Sequence, residues 1–375
     1  LVHKEARRLE ETLDLIAAEN HSPPAIMEVL GSVFNTKTIE GYPGRRYHAG
    51  CVHADAVERL AISRAKALFN AEHANVQPHS GTSANLGVYF SVLDIGDKVL
   101  SMTLSHGGHL SHGHPISIAG RCFEVQHYGV NRKSGLIDYN ALTSLAKEFK
   151  PQMIVAGASS YPRLIDYKKI AEVAASIQAY FMVDMAHIGG LVAAGVIPSP
   201  VPFADFVTLT CYKTMMGGRG GIILCREVFA KQIDRAVFPG CQGTSAVNSI
   251  AAKAVILKMA MGKPFVALQE KTIDTARTLS EQLINKGYRV LTNGTDTHQV
   301  IIDVASRGAD AGLVEKALER SNIILNRNIL PKDEQKPGAI SGIRMGTAAM
   351  VARGMGRAEA DIVADLVHRV ITHVT

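Results

Sequence analysis

A lysine and an aspartate follow two neighbouring apolar runs of this 375-residue sequence. Lys213 comes after residues 206–210 and before a glycine-rich turn, so its amine would be partly desolvated, easily deprotonated and able to form a Schiff base. Asp184 ends the run 179–184, where an acid can keep a pyridine nitrogen protonated. Each residue alone has an ordinary explanation, a snorkelling lysine or a helix-capping aspartate. Together, about thirty residues apart, they predict a site for an imine-forming cofactor with a pyridine ring.

Two loops contain residue types that could hold an anionic or a flat ligand. Residues 79–85 precede a helical pattern and include Ser80, Gly81 and Thr82, whose backbone N–H groups at a helix N-terminus would suit a phosphate. A plain helix N-cap is the commoner role of such a segment. Residues 104–114 are dense in histidine and glycine. Because they lack an HExxH motif and nearby carboxylates or cysteines, we expect one imidazole stacked on a flat ligand rather than a metal site.

Two charged residues in glycine-containing segments are candidates for substrate chemistry. Glu40 begins the glycine- and proline-punctuated segment 40–48 and could act as an acid or a base, although a solvated loop acid is the alternative. Arg344 lies between small residues in 341–347, where its guanidinium could hold a carboxylate through two parallel hydrogen bonds. A surface salt bridge is the alternative for this arginine.

The elements that must position these residues alternate between short apolar strands and amphipathic helices. The strand candidates are 152–156, 179–184 and 206–210. Asp138 and Asp166 can cap the helices that lie between them. This alternation predicts a doubly wound, mostly parallel sheet, in which ligands lie at the carboxyl ends of the strands.

A change of pattern near residue 262 predicts two domains. Residues 1–262 would form an N-terminal segment and a large domain that holds the cofactor. Residues 263–375 would form a smaller α/β domain, in which a long helix precedes strands at 289–291 and 299–303.

Composition and charge narrow the class of protein. Apolar residues make up 47% of the chain, which favours packed cores, and no apolar run is long enough to cross a bilayer. The five cysteines are odd in number and form no CxxC pair, so we expect no disulfide framework and a reducing cytoplasm. The net charge is +6, but the basic residues are interleaved with acidic ones along the chain. We therefore expect a solvated surface or a site for an anionic small molecule, rather than nucleic acid as the main partner.

Taken together, these segments resemble the serine hydroxymethyltransferases, which are fold-type I enzymes that use pyridoxal 5′-phosphate (PLP). The resemblance extends from residues 15–20 to 342–344. The other matching segments are 40–44, 75–81, 105–110, 183–187, 190–195 and 237–240. The resemblance implies an α/β fold with a mostly parallel seven-stranded sheet in the large domain, and a smaller C-terminal α/β domain. It also implies tetrahydrofolate as co-substrate, and a homodimer or tetramer with shared active sites.

The resemblance implies a role for each cofactor-site residue. Lys213 would hold PLP as a Schiff base, with Asp184 at the pyridine nitrogen and His106 stacked on the ring. The other implied cofactor contacts are Ser80, Gly81, Thr82, Ser159, His187 and Thr210, together with Gly243 and Thr244 of a second subunit. The implied catalytic residues are Lys213, Glu40, His106, Asp184 and Tyr212.

Substrate contacts implied by the resemblance come from several segments. Arg344 would bind the carboxylate of the amino acid, and Asn328 would contact the folate ring. Glu40 of the neighbouring subunit would transfer a proton near the hydroxymethyl carbon. Ala18, Thr38 and His48 would lie around the bound amino acid.

Several positions depart from the family pattern, and three of them, Ala18, Thr38 and His48, would lie around the bound amino acid. Ala18 stands where the family has serine, Thr38 and His48 where it has tyrosines, Tyr212 where it has histidine and Gly218 where it has proline. Loss of two tyrosine rings opens volume beside the amino acid, and loss of the serine removes a polar contact. These departures predict an enzyme that accepts a bulkier α-carbon.

The expected activity is transfer of a one-carbon hydroxymethyl group between a serine-type amino acid and tetrahydrofolate. The favoured variant acts on α-methylserine and alanine, and the alternative substrate pair is serine and glycine. A folate-independent PLP aldolase or transaldolase on β-hydroxy amino acids is a second possibility. A non-catalytic RNA-binding relative is a third, and the intact Lys213, Asp184 and Arg344 argue against it.

Overall fold

The computed structural model describes residues 1–335 and 338–374. Helices and strands alternate through most of the chain. The helices are α1 (Val2–Glu11), α2 (Pro24–Leu30), α3 (Val52–Phe69), α4 (Gly81–Val92), α5 (Ile118–Cys122), α6 (Tyr139–Phe149), α7 (Tyr167–Ser176), α8 (Gly189–Ala193), α9 (Ala230–Arg235), α10 (Val247–Ala260), α11 (Lys263–Asn285), α12 (Ala311–Arg320), α13 (Ala348–Ala352) and α14 (Arg357–Val374). The strands are β1 (Leu13–Asp14), β2 (Gly41–Tyr42), β3 (Arg45–Arg46), β4 (His73–Asn75), β5 (Lys98–Met102), β6 (Glu124–Tyr128), β7 (Met153–Ala156), β8 (Tyr180–Asp184), β9 (Phe206–Thr210), β10 (Gly221–Cys225), β11 (Arg289–Val290), β12 (Gln299–Asp303), β13 (Ile323–Ile324), β14 (Asn326–Asn328) and β15 (Gly342–Gly346).

A seven-stranded sheet forms the centre of the large unit. Its strand order is β4-β10-β9-β8-β7-β5-β6. The four contacts that link β9, β8, β7, β5 and β6 are parallel, whereas β10 runs antiparallel to both β9 and β4. The predicted α/β fold with a mostly parallel seven-stranded sheet is therefore confirmed.

The central strands are apolar throughout because both faces of the sheet are covered. In β7, Ile154 packs into one core with Val183 of β8, whereas Met153 packs into the opposite core with Met182. Alternate residues of each strand thus enter different cores, as the two-residue period of a strand requires. Burial on both faces explains the continuous apolar runs in the sequence.

The predicted helix caps are present. Asp138 Oδ1 accepts a hydrogen bond from Ala141 N at 2.9 Å at the start of α6. Asp166 Oδ1 accepts one from Lys169 N at 3.0 Å at the start of α7. Each cap satisfies a backbone donor that has no acceptor within its own helix.

A second sheet, with the antiparallel order β11-β12-β15-β14, organises the C-terminal part of the chain. The boundary predicted at 262/263 lies between α10 and α11. Residues 13–15 of the N-terminal segment pack on this C-terminal unit, whereas Ile26 of α2 and Ile39 lie in the core of the large unit. β1 pairs in parallel with β13, and Leu15 is fully buried in the core of the smaller unit.

Two features of the whole chain bear on its class. No helix of the described residues is both long and apolar enough to cross a membrane. The five cysteines are free thiols, and three of them, Cys51, Cys211 and Cys225, are buried.

Candidate active site

Two neighbouring strands bring Lys213 and Asp184 to one cavity. β8 and β9 are parallel partners, with Asp184 in register with Thr208, so both strands end at the same edge of the sheet. Lys213 lies three residues beyond β9, in the turn rather than on the strand. The two side chains border a cavity of about 70 Å³. The residues around it are Ser80, Gly81, Thr82, His109, His112, Ala158, Ser159, Asp184, Ala186, His187, Thr210, Tyr212 and Lys213.

Hydrogen bonds hold the carboxylate of Asp184 in place. Its Oδ2 accepts from Asn85 Nδ2 at 2.8 Å and lies 2.9 Å from His112 Nε2, and its Oδ1 accepts from Ala186 N at 2.9 Å. Burial alone would raise the pKa of Asp184, but the hydrogen bonds from His112 and Asn85 outweigh burial and hold the pKa well below its ordinary value. The site therefore contains a fixed negative charge that can stabilise a protonated ring nitrogen.

Lys213 is desolvated in the way that an imine-forming amine requires. Only 7% of the residue is exposed. Burial lowers the pKa of its amine to about 8, while the charge of Asp184 opposes this shift and that of Arg344 adds to it. Roughly one amine in ten is then neutral at pH 7, against fewer than one in a thousand for an exposed lysine.

The segment with Ser80, Gly81 and Thr82 combines both roles considered for it. Ser80 caps α4, since its Oγ accepts from Ser83 N at 3.2 Å and its own N donates to Ser83 Oγ at 2.9 Å. The same three residues line the cavity. A β-carbon added to Gly81 would lie 2.7 Å from Cγ2 of Thr210, so only glycine fits at this position. The first-turn amides, which lack acceptors within the helix, form an anion-binding end of the cavity.

His187 is held neutral beside Lys213. Burial is the main cause that lowers its pKa well below the ordinary value, and the cations Lys213 and Arg344 add to it. Its ring stacks on His298, with centroids 5.7 Å apart and planes at 18°. His187 Nδ1 is buried and has no hydrogen-bond partner among the described residues. A ligand in the cavity could satisfy this atom.

Arg344 of the smaller unit does not line the cavity but is bonded to Ser159, which does. The arginine lies in β15, and its Nη1 donates to the carbonyl oxygen of Ser159 at 2.7 Å. Asn326 Oδ1 accepts from Nε and Nη2 at 3.3 and 3.2 Å. Burial lowers the pKa of Arg344 to about 10, so the group stays cationic at neutral pH. No carboxylate of the described residues forms a salt bridge with it, which excludes the surface salt bridge within that part of the chain.

Two further predicted residues line the cavity, one at the end of β9 and one just after it. Thr210 Oγ1 donates to the carbonyl oxygen of Ala186 at 3.0 Å. The guanidinium carbon of Arg219 lies 4.5 Å from the centre of the Tyr212 ring, which is a cation–π contact. The ring of Tyr212 is therefore oriented by a neighbour from the glycine-rich turn.

The structure does not bring His106 to the cavity. Val130 N donates to His106 Nδ1 at 3.0 Å, and His106 Nε2 lies 3.2 Å from Glu334 Oε2 without hydrogen-bond alignment. The ring thus points toward the segment after β14. His109, three residues later, lines the cavity instead, and burial lowers its pKa to about 4.

The glycines of the histidine-rich loop serve the protein backbone rather than a flat ligand. A β-carbon on Gly108 would lie 2.1 Å from the carbonyl oxygen of Met102. One on Gly107, whose φ is +111°, would lie 2.8 Å from the carbonyl oxygen of Ser160. Close backbone approach at these two glycines determines which imidazole faces inward.

Five predicted residues lie away from the Lys213 cavity of their own chain and close to one another: Thr38, Glu40, His48, Gly243 and Thr244. Thr244 Oγ1 accepts from Ile39 N at 2.7 Å and joins their two segments. Thr38, His48, Gly243 and Thr244 are exposed and Glu40 is half-buried. We refer to this set as the Glu40 face.

Ala18 and Asn328 also lie outside the cavity lining. Ala18 precedes Asn20, whose Nδ2 donates to the carbonyl oxygen of Lys213 at 2.9 Å, and His298 Nε2 donates to Ala17 O at 3.0 Å. The segment is therefore fastened beside the lysine. Asn328 ends β14 and is buried, and its Nδ2 donates to the carbonyl oxygen of Ile329 at 2.8 Å.

Sequence reasoning missed the residues that hold Asp184. Asn85 is 99 residues from Asp184 and also binds Ser111 Oγ and Thr208 Oγ1, at 2.9 and 2.7 Å. His112 is 72 residues away, in the histidine-rich loop. An asparagine one turn into a helix resembles any core polar residue, so only its place behind the phosphate-type segment could have indicated it.

The cavity fits PLP on these observations. An ionised, hydrogen-bonded carboxylate, a desolvated amine and a helix N-terminus border one space, and the orphaned His187 Nδ1 lies beside them. These are the partners that a ring nitrogen, an aldehyde, a phosphate and a phenolic oxygen need.

A comparison with known families agrees with this chemistry. The family model for serine hydroxymethyltransferase matches residues 1–367, which is nearly the whole chain. Since the cavity also offers what that cofactor needs, the chain belongs to the serine hydroxymethyltransferase family of PLP-dependent hydroxymethyltransferases, with tetrahydrofolate as the one-carbon carrier.

Proposed function

We propose that this enzyme moves a hydroxymethyl group between an α-methylserine-type amino acid and tetrahydrofolate, and that plain serine is the poorer substrate. The observation that carries the proposal is a division within the site. Asn85 and His112 hold Asp184 beside the desolvated Lys213, whereas Ala18, Thr38 and His48, which depart from the family pattern, would lie on the surfaces that enclose the amino acid.

On the cofactor side, Lys213 would attach PLP through its amine, and the first-turn amides of Gly81 and Thr82 would bind the phosphate. When bound, PLP supplies an electron sink for the bond broken at the α-carbon. Asp184 would hold a proton on the ring nitrogen. His109, in place of His106, would lie over the ring, and His187 would face the phenolic oxygen with Ser159.

On the substrate side, Arg344 would hold the amino acid by its carboxylate. It is cationic, half-buried and without a carboxylate partner among the described residues, so a ligand carboxylate would satisfy it. Glu40 would carry the proton exchanged near the hydroxymethyl carbon, and Asn328 would contact the folate.

The active site would be shared between two subunits of a homodimer or tetramer. Four of the five residues of the Glu40 face are exposed, and the face lies outside the cavity lining of its own chain, yet it carries the proposed proton-transfer group. Large apolar side chains near it are also exposed, including Val33 at 84%, Tyr47 at 76% and Val52 at 70%. A second copy would bury these side chains while it brings Glu40 to the neighbouring cavity.

The departures from the family pattern would then meet around the substrate. Thr38 and His48 belong to the Glu40 face, whereas Tyr212 lines the cavity and Ala18 lies in the segment fastened beside it. Replacing two tyrosine rings by threonine and histidine frees more volume than one methyl group needs. The free cysteines are compatible with a cytoplasmic enzyme.

A substrate panel tests the proposal. We would measure kcat/KM for L-serine and for both enantiomers of α-methylserine, with and without tetrahydrofolate. One methyl group in an apolar pocket is worth about 10–200-fold, so α-methylserine should be preferred by a factor in that range. Restoring the family residues in Thr38→Tyr/His48→Tyr should reverse the preference, whereas Thr36→Tyr, at an exposed position two residues earlier, should leave it unchanged.

Two results would contradict the proposal in different ways. A clear preference of the wild-type enzyme for L-serine would remove the α-methyl specificity and leave the family assignment intact. Formaldehyde release at full rate without tetrahydrofolate would favour the folate-independent aldolase.

A further inference from the structure

A second buried lysine lies close to the cavity but does not line it. Lys253 is in the middle of α10 and only 1% exposed. Its Nζ donates to the carbonyl oxygens of Val76 at 2.6 Å and Pro78 at 3.0 Å. The ammonium group therefore ends at the segment that connects β4 to the start of α4.

No carboxylate of the described residues pairs with Lys253. The groups that act on its charge are the Cys211 thiol and Glu58, and Glu58 is already bound to Arg46 and to Gln77 Nε2. Burial lowers the pKa of Lys253 to about 8, so the group is mostly cationic at neutral pH. A buried cation without a counter-ion is costly, and α10 is otherwise apolar on this side. A lysine at this buried position therefore requires a specific explanation.

The surroundings hold the ammonium group in one place. Pro78 O accepts from Gly221 N at 3.0 Å as well as from Lys253. A β-carbon on Gly220 would lie 2.3 Å from Cε of Lys253, so β10 begins directly against the side chain. Two residues after Pro78 the chain reaches Ser80, the cap of α4.

We propose that Lys253 is a positioning residue for the phosphate end of the cofactor site. It holds residues 76–78 by two carbonyls and thereby aims the first-turn amides of α4 into the cavity. Its charge lies behind the same helix N-terminus and favours a phosphate dianion there. The inference depends on the proposed assignment of Ser80, Gly81 and Thr82 to the phosphate.

A comparison of two cofactor forms tests this role. We would strip the full-length protein of cofactor and titrate it with PLP and with pyridoxal, which has the same ring and aldehyde but no phosphate. Absorbance of the Lys213 imine would give both dissociation constants. The variants are Lys253→Met, which keeps length without charge, and Lys253→Gln, which keeps an N–H donor. Lys258→Met, exposed on the same helix, is the matched control.

The expected result is selective loss of phosphate recognition. Lys253→Met should weaken PLP at least tenfold and pyridoxal less than twofold, Lys253→Gln should weaken PLP by a smaller factor, and Lys258→Met should change neither. An equal loss for both ligands would show a general structural role and overturn the proposal, as would unchanged PLP binding. If Lys253→Met does not fold, the PLP-to-pyridoxal ratio of Lys253→Gln decides.

The same titration separates this inference from the site assignment beneath it. If the wild-type protein binds pyridoxal as tightly as PLP, the assignment of the α4 N-terminus to the phosphate fails. If the wild type prefers PLP and the Lys253 variants keep the full preference, only the role of Lys253 fails.

Discussion

Replacing Lys213, the proposed cofactor-binding lysine, should stabilise the cofactor-free protein. Lys213 is buried, and burial lowers the pKa of its amine from 10.5 to about 8. Below pH 8 the amine is charged in both the folded and the unfolded state, so the folded state carries the whole cost of the shift. As the pH rises above 8 the folded state loses the proton first, and the cost declines until both states are neutral above 10.5. Methionine has a similar length and carries no charge, so Lys213→Met removes this cost.

The size of the gain follows from the two pKa values. With about 1.4 kcal/mol for each unit of pKa, the cost at pH 7 is about 3 kcal/mol, and at pH 9.5 it falls to about 1 kcal/mol. Lys213→Met should therefore raise the free energy of unfolding by about 2 kcal/mol more at pH 7 than at pH 9.5. Asp184 retains its hydrogen bonds from Asn85 and His112 in this variant, so no second buried charge is orphaned.

Urea unfolding followed by circular dichroism measures the effect. Wild type and variant are compared without cofactor at equal protein concentration, because subunit association also contributes to apparent stability. Lys258→Met, at an exposed position, should show no pH-dependent difference from wild type. A variant that is no more stable at pH 7, or a gain that is equal at both pH values, would refute the argument from desolvation.

Three further outcomes are expected. Lys213→Ala should lose the visible absorption band that borohydride abolishes in the wild type, and retention of a reducible band at full occupancy would contradict the assignment. Arg344→Gln should lower kcat/KM for the amino acid by about 10–150-fold, mostly through KM, because charge-assisted hydrogen bonds are worth about 1.5–3 kcal/mol. A KM unchanged within twofold would contradict this. An equal mixture of inactive Glu40→Gln and Lys213→Ala should regain about one quarter of wild-type activity, since random exchange makes half of the dimers hybrid with one intact site each. If mass spectrometry shows that subunits have exchanged but activity does not return, the result would count against shared sites.

Local patterns made part of this protein predictable. The strands at 206–210 and 299–303 have the predicted bounds, because their apolar runs are short and sharply delimited. The caps at Asp138 and Asp166 depend only on contacts three residues apart. Lys213 and Asp184 meet because parallel neighbouring strands end at the same edge of a sheet, a rule that needs no knowledge of distant side chains.

The choice of the inward-facing histidine was not predictable from spacing. His106 and His109 lie three residues apart in a loop rich in glycine. The positive φ of Gly107 and the contact of Gly108 with Met102 O turn the backbone so that His106 binds Val130 N and His109 faces the cavity. These constraints come from the end of β5 and from neighbouring loops, which the loop sequence does not reveal.

The amino-acid sequence by itself determined the residue types, the alternation of strands and helices, and the pairing of a lysine with an acid at adjacent strand ends. Only the tertiary structure decided that Asn85 and His112 hold Asp184 ionised, that Lys253 lies behind the α4 N-terminus, and that the Glu40 face lies apart from its own cavity. The physical reason is how far apart along the chain the interacting residues are. The periodic burial of a helix or strand depends on residues that are close in sequence. Hydrogen bonds and pKa shifts, in contrast, act over a few ångströms between segments that can be a hundred residues apart.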